Sequence, residues 1–373
     1  MESKKNISIY VRNEDITPSS YYRIIQYSKR FTGIVTVRNI APKKLYKIHL
    51  NSNKSLKIIR LSIGSLYYMV MVVRVLYYLM IDYILKPKLV IVSKTFCPRY
   101  SPLILNFLLE KVAKHSQLIW DFDDYIFISG EISKKQADIL EKNSKFIVVT
   151  SKFLKSKISL KYQSKVIILP TTDGDFQGFN ESDLMEKRGS TFGHEIKLVW
   201  VATAGNIPNL LKVIDVLDKT AALLKERQNK ELVLTVICNE PIKIEVQHLT
   251  IKNIEWTRRR AMEEIFAAHI GIMPLILNDY SLGKGGFKLV QYISTGLPVV
   301  ASKVGFNEEV VDENNGILVD DQETNDDWVN AILNLSHSYD EWEKYSYAAY
   351  NKWKKCFSYD ENLKVWREIV SLG

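Results

Sequence analysis

The residues best suited to chemistry in this chain are the run Gly283-Lys284-Gly285-Gly286-Phe287-Lys288. A loop without bulky side chains lets a ligand approach the backbone. The pattern predicts a helix that starts near Phe287 and ends at Gly296, a residue suited to the position just past a helix C-terminus. The start of such a helix offers N–H groups and the positive end of its dipole to an anion. Lys284 and Lys288 add cations there, and lysine neutralises a diphosphate as a mobile point charge. The chemistry indicated is phosphate capture. An ordinary loop–helix–strand turn with solvated lysines is the plainer alternative.

A second candidate is Asp121-Phe122-Asp123-Asp124, after the apolar run Leu118–Trp120. Three carboxylates in four residues repel one another and are tolerated only where water, cations or hydrogen bonds reach them. At the carboxyl end of a parallel strand they would face the crevice where such folds bind ligands. Asp121 or Asp124 is the candidate to bind or orient a substrate hydroxyl, as a base. The alternative is a capping and turn cluster for the next helix.

The elements that must position these groups are short apolar runs alternating with helical patterns. Strands are expected at 7–11, 89–93, 118–121, 146–150, 166–169, 197–201, 232–237, 270–274 and 298–301. Most are continuously apolar, as in parallel strands covered on both faces. This predicts an α/β chain with at least two doubly wound sheets. The 373 residues, 46% of them hydrophobic, suit two domains. A polar stretch rich in Gly, Asp and Ser predicts a linker at 176–195, between domains at 1–175 and 196–357.

Charge changes sign at the same place. Residues 1–172 carry 29 Lys and Arg against 11 Asp and Glu, whereas the remainder carries 22 against 31. A basic N-terminal half indicates an anionic partner, membrane or nucleic acid, unless the asymmetry is surface drift. Basic residues spread over some 170 positions without a recognised binding module disfavour nucleic acid. Three scattered cysteines indicate reduced thiols, and the start MESKKNISIYV lacks the pattern of a signal peptide, so an intracellular location is expected.

The run Leu66–Leu85 has the length of a membrane span, but Arg74 and Asp82 interrupt it. Tyr67, Met71, Arg74, Tyr78 and Asp82 share one helical stripe, with Met69, Val70, Val73, Leu76, Met80 and Ile84 opposite. A buried helix, a helix touching the membrane surface and a span are all open readings.

Residues 283–319, with AAHIGIMPLILNDY before them, resemble the donor-site region of family 4 and related GT-B glycosyltransferases. The resemblance is carried by Ile270–Pro274, Gly296, Pro298–Ser302, Gly305, Glu308–Val311 and Gly316–Val319. Many members have two glutamates separated by seven residues, where this chain has Gly283 and Gln291. It is similar instead to a subgroup with a gK..fK..qY pattern, met by Lys284, Phe287, Lys288, Gln291 and Tyr292. The Gln291 amide offers both a donor and an acceptor to a ribose or sugar hydroxyl. LVWVATAGNIPN resembles the strand and loop that open the C-terminal domain, which implies that Thr203, Gly205 and Asn206 meet donor phosphate. Ile254–Arg258 resembles the segment near the nucleotide base. Trp256 is then expected to pack there, or else in the core, and Arg258 to pair with phosphate. Asp121–Phe127 resembles a yDfDDaiw motif, and Leu169–Phe176 an iPT..D segment. The loop Ile16–Tyr27 resembles an acceptor-side loop, with Ser19, Ser20 and Arg23 facing the cleft.

The resemblance implies a GT-B fold: two Rossmann-like doubly wound domains facing a central cleft, with a helix about 358–373 packing back on the first. The implied activity is transfer of a sugar from a nucleotide-diphosphate donor to a lipid-linked or polysaccharide acceptor, with retention. Helix dipole and Gly286, Phe287, Lys284 and Lys288 would stabilise the leaving diphosphate, so no metal or other cofactor is expected. The expected partners are a nucleotide sugar, the acceptor and an anionic membrane surface, at the cytoplasmic face of the cell membrane. A nucleotide-sugar epimerase of the same fold and a non-catalytic binding subunit are the alternatives.

Overall fold

The computed structural model describes residues 6–52, 55–97, 99–176, 179, 181–320 and 326–372. The chain divides into two units, Met1–Thr171 with Asn362–Gly373, and Thr172–Glu361.

The first unit is a six-stranded sheet of β1 (Asn6–Val11), β2 (Ile34–Asn39), β3 (Leu89–Ser93), β4 (Gln117–Phe122), β5 (Ser144–Val149) and β6 (Val166–Ile168). Its order is β2-β1-β3-β4-β5-β6 and all pairings are parallel. β3 is buried at every residue, which explains the unbroken apolar run Leu89–Val92: helices cover both faces. The C-terminal helix Tyr359–Leu372 returns to this unit. Asn362 Nδ2 donates to the Pro170 carbonyl at 2.7 Å and the Trp366 ring lies 6.1 Å from Phe31.

The second unit has β7 (Glu195–Val201), β8 (Glu231–Cys238), β9 (Thr250–Glu255), β10 (Ile270–Met273), β11 (Val299–Ser302) and β12 (Gly316–Val319), in the parallel order β12-β11-β10-β7-β8-β9. Successive residues of one strand feed opposite cores. Leu198 and Trp200 enter a cluster with Leu234, Trp328 and Trp342, while Val199 and Val201 enter another with Tyr292, Val299 and Trp353. That is the period-two alternation of a strand with both faces covered.

Two sequence expectations change here. The stretch expected as a linker carries a helix, Glu181–Phe192, that buries Leu184, Arg188 and Phe192 within the second unit; residues 177, 178 and 180 lie outside the described residues. Its polar composition hides an anchor: the buried Arg188 guanidinium donates to the carbonyls of Thr295, Ile265 and Phe266. Three strands also went unrecognised, β2, β9 and β12, and each lies at a sheet edge.

Candidate active site

In the second unit the strand order reverses between β7 and β10, so the loops at their carboxyl ends splay apart and leave a crevice. Both loops carry residues singled out from the sequence. After β7, Thr203 and Gly205 are exposed in a short turn, Ala204–Asn206, and Asn206 Nδ2 donates to Thr203 Oγ1 at 3.1 Å. After β10, the chain runs through a turn at Asp279–Leu282 to Gly283–Gly286 and the helix Phe287–Ser294. The Lys284 ammonium donates to Asn206 Oδ1, which ties the two loops together. Asn209 adds a second tie, accepting from the Ile276 N–H at 2.9 Å.

The glycines have a steric reason. Gly286 precedes the helix at φ +56°, in the left-handed region, and a Cβ there would stand 2.4 Å from Phe306 Cδ1. Gly296 ends the same helix at φ +66°, in the capping role expected from the sequence.

From this helix a polar chain runs through four side chains. Lys288 Nζ donates to Gln291 Oε1 at 2.8 Å. Gln291 Nε2 donates to Asp173 Oδ2 at 2.8 Å. The other oxygen, Asp173 Oδ1, accepts from Arg258 Nη2 at 2.7 Å. Arg258 also pairs with Asp175. Asp173 is nearly fully buried, which raises its pKa, with Arg258 pulling the other way. Burial pulls the Lys288 ammonium down to about 8, with Asp173 opposing that shift. Arg258 opens the helix Arg258–Ala267, whose N-cap Thr257 accepts from the Arg260 N–H. Trp256 is 45% exposed, which removes the core alternative for its indole. Phe287 is half-buried, with the Lys288 ammonium 5.1 Å over its ring.

The structure therefore gathers Lys288, Gln291 and Arg258 around one carboxylate, and Lys284, Asn206 and Thr203 across one crevice. Asp173 is the site residue that sequence reasoning missed. It stands in the segment Leu169–Phe176 that was noted for its resemblance, but nothing in its neighbours along the chain signals a buried carboxylate.

In the first unit the order reverses between β1 and β3. There Ser19 and Ser20 line a cleft of about 80 Å3 with Arg12, Thr17, Ser93, Lys94 and Glu131. The helical segment Pro18–Ser28 contains a π turn at Tyr21–Ile25, which rotates Arg23 inward. Arg23 does not face a cleft, because it is buried against Asp121, with Nη2 2.5 Å from Oδ1, and also donates to the Leu169 carbonyl. Asp121 differs from expectation for the same reason. It is fully buried and both oxygens accept from Arg23, so its place is beneath the site.

Of the three carboxylates Asp124 is the reachable one, whereas the Asp123 side chain is 14% exposed. Lys94 Nζ lies 2.9 Å from Asp123 Oδ1 and 2.7 Å from Asp124 Oδ2. Lys94 holds φ +59°, an uncommon backbone for lysine, and its N–H donates to the Asp121 carbonyl at 2.6 Å. Burial raises the Asp123 carboxyl to about 6, against the pull of Lys94. The Asp124 side chain is half exposed. Among the described residues, no three His, Cys, Asp or Glu side chains converge as a metal site would require.

Residues 198–338 match the family model described as "Glycosyl transferases group 1". No curated protein is significantly similar in sequence. Among solved structures, Anabaena HepE in complex with UDP and glucose is similar at a TM-score of 0.63 and 11% identity, over 98% of this chain and 99% of that one. A glycosyltransferase from Rickettsia africae matches at 0.62 and 13%, over 99% and 98%. WaaG, a glycosyltransferase involved in lipopolysaccharide biosynthesis, matches at 0.51 and 13%, over 81% and 96%. At these identities the likeness establishes a shared fold, two Rossmann-like parallel-sheet units of the GT-B type.

Proposed function

We propose that this chain is a GT-B glycosyltransferase of the group 1 type, with a nucleoside-diphosphate sugar as donor and a lipid-linked or polysaccharide hydroxyl as acceptor. The observation that carries this reading is the pair of cationic arrangements in the second unit, Lys284 on Asn206 and Lys288–Gln291–Asp173–Arg258. The solved HepE complex, which contains UDP and glucose, supports a nucleotide donor.

In this proposal Thr203, Gly205, Asn206 and the first turn at Gly286–Phe287 receive the diphosphate, and Lys284, Lys288 and Arg258 neutralise it. Trp256 packs against the base, and the Gln291 amide orients a ribose or sugar hydroxyl. The acceptor oxygen bonds to the anomeric carbon as the bond to the diphosphate breaks. The electron pair leaves with the diphosphate, and a diphosphate oxygen takes the acceptor's proton, with the sugar configuration retained. The first unit supplies the acceptor through Ser19, Ser20 and Asp124. No metal is required in this scheme. Its basic surface meets an anionic membrane at the cytoplasmic face, in the synthesis of cell-surface glycan.

The test is the melting temperature of the protein with UDP, GDP, ADP and their sugars, in wild type and Lys288→Ala. A rise with one diphosphate, abolished by the substitution, supports the assignment. No rise with any of them overturns the donor site, and turnover of donor without transfer to an acceptor favours an epimerase.

A further inference from the structure

The helix Lys57–Leu85 is 29 residues long and apolar enough to cross a membrane, yet only 22% of its most apolar window is buried. At 1.5 Å per residue it extends about 43 Å. Its two faces differ. Tyr67, Met71, Val75, Leu79 and Asp82, at spacings of three and four, are buried in the first unit. Leu66, Met69, Val73, Tyr77, Met80 and Ile84 follow the same spacing on the outside and are 49–72% exposed. Of the two stripes legible in the sequence, the one with Tyr67, Met71 and Asp82 is covered and the one with Met69, Val73, Met80 and Ile84 faces outward.

A neighbour widens this face. The helix Leu103–Ala113 runs alongside: Tyr68 donates to the Tyr100 carbonyl at 2.5 Å, and Tyr83 lies 6.3 Å from His115. The same offset of 32 residues at both ends shows that the two helices run side by side in one direction. Leu103, Ile104 and Phe107 are 50–70% exposed there. A contiguous apolar area of this extent on an otherwise soluble surface marks an interaction site.

Charge selects the partner. Residues 43–119 contain 13 Lys and Arg but only two carboxylates, Asp82 and Glu110. Asp82 is buried and accepts from Ser8, Tyr10 and Arg38. Lys57 and Arg60 are exposed at one end of the long helix, Lys86 and Lys88 at the other, and Lys114 on its neighbour. The Lys111 ammonium lies 5.0 Å over the Phe107 ring, its stem along apolar surface. A second copy of the chain would bring these cations against their own kind, whereas anionic headgroups would neutralise them.

We propose that the outer face of Lys57–Leu85, extended by Leu103, Ile104 and Phe107, docks this protein on an anionic lipid bilayer with the helix lying in the plane of the interface. This deepens the membrane contact of the proposed function and rests on it only for the acceptor's location. A crossing orientation is excluded by the inner face. It would draw Asp82 away from three hydrogen-bond donors and Arg74 away from the Asn39 carbonyl.

The experiment is sedimentation of the full chain with vesicles of phosphatidylcholine alone or mixed with phosphatidylglycerol. Wild type should bind the mixed vesicles, ignore the neutral ones, and be released by alkaline carbonate. The double variant Val73→Glu with Met80→Glu changes only exposed positions and should keep its melting temperature while its partition falls about tenfold or more. Lys57→Glu with Arg60→Glu should weaken binding more at low salt than at high salt. Wild type that ignores mixed vesicles, a Val73→Glu/Met80→Glu variant that binds as before, resistance to carbonate, or a dimer that buries Val73 would each overturn the proposal. The rise in melting temperature with a nucleoside diphosphate is measured in parallel. If that rise is missing while vesicle binding persists, the donor reading fails and the docking face stands.

Discussion

Asp173 and Gln291, 118 positions apart, meet at 2.8 Å through Oδ2 and Nε2. The bond places a neutral amide where many similar enzymes carry a glutamate, against a carboxylate that already holds Arg258. A glutamate in this chain would therefore face Asp173 with like charge.

Gln291→Glu should destabilise the protein at neutral and alkaline pH and be nearly silent in acid. Two adjacent carboxylates raise each other's pKa, so the folded state binds a proton more tightly than the unfolded chain does. Stability is thus lost as pH rises through the ordinary carboxylate range and regained on acidification. Urea denaturation at about pH 4.5 and pH 8 checks this, and equal effects at both would refute it.

Asp173→Asn tests the carboxylate itself. Arg258 loses its charged partner and the chain to Lys288 loses its centre. Because Arg258 is 37% exposed, water compensates in part, and a stability loss of about 1–2 kcal/mol is expected. Donor KM should rise more than kcat falls, since the cations are displaced rather than removed.

Lys288 is lowered to about 8, so nucleoside-diphosphate affinity should weaken as pH rises through 8. Lys288→Arg, which stays charged, should flatten that decline. The sign for stability of the unliganded protein is opposite. Between about 8 and the ordinary 10.5 the unfolded state binds the proton that the folded state has lost, so stability rises with pH. Calorimetric binding and unfolding across that range should move in contrary directions.

Asp121 and Asp124 should separate cleanly. Asp121→Asn breaks a pair whose side chains are 0% and 1% exposed, and a loss of about 3–5 kcal/mol is expected. Asp124→Asn changes a half-exposed carboxylate whose partner Lys94 keeps Asp123, and stability should move by at most about 1 kcal/mol. Activity measured well below the melting temperature should fall for Asp124→Asn. Full activity there would remove it from the acceptor side.

Gly286→Ala combines a left-handed backbone with a Cβ 2.4 Å from Phe306. A loss of about 2–4 kcal/mol is expected, partly restored by Phe306→Leu, which makes room for the methyl group.

The sequence alone determined the class of fold and the order of its chemistry. The central strands are legible because burial on both faces demands unbroken apolar runs, as in Leu89–Val92 and Val199–Val201. The Gly283–Gly286 loop and the cap at Gly296 are legible because a glycine's conformational freedom is a local property. Three of the four edge strands are not: β2 and β9 have no buried residue, so burial leaves no apolar run to distinguish them from loops. The long apolar helix was ambiguous for a related reason. Spacing defines its two stripes, but only packing decides which is covered, and Asp82 settled it by finding Tyr10, Ser8 and Arg38 inside. The roles of the carboxylates were likewise tertiary. Asp121, Asp123 and Asp124 are chemically alike along the chain, and what separates them is a guanidinium from position 23 beneath one and an ammonium from position 94 beside the others. These charge partners come from segments distant along the chain, the helical turn at Tyr21–Ile25 and the loop after β3, and no local pattern encodes them.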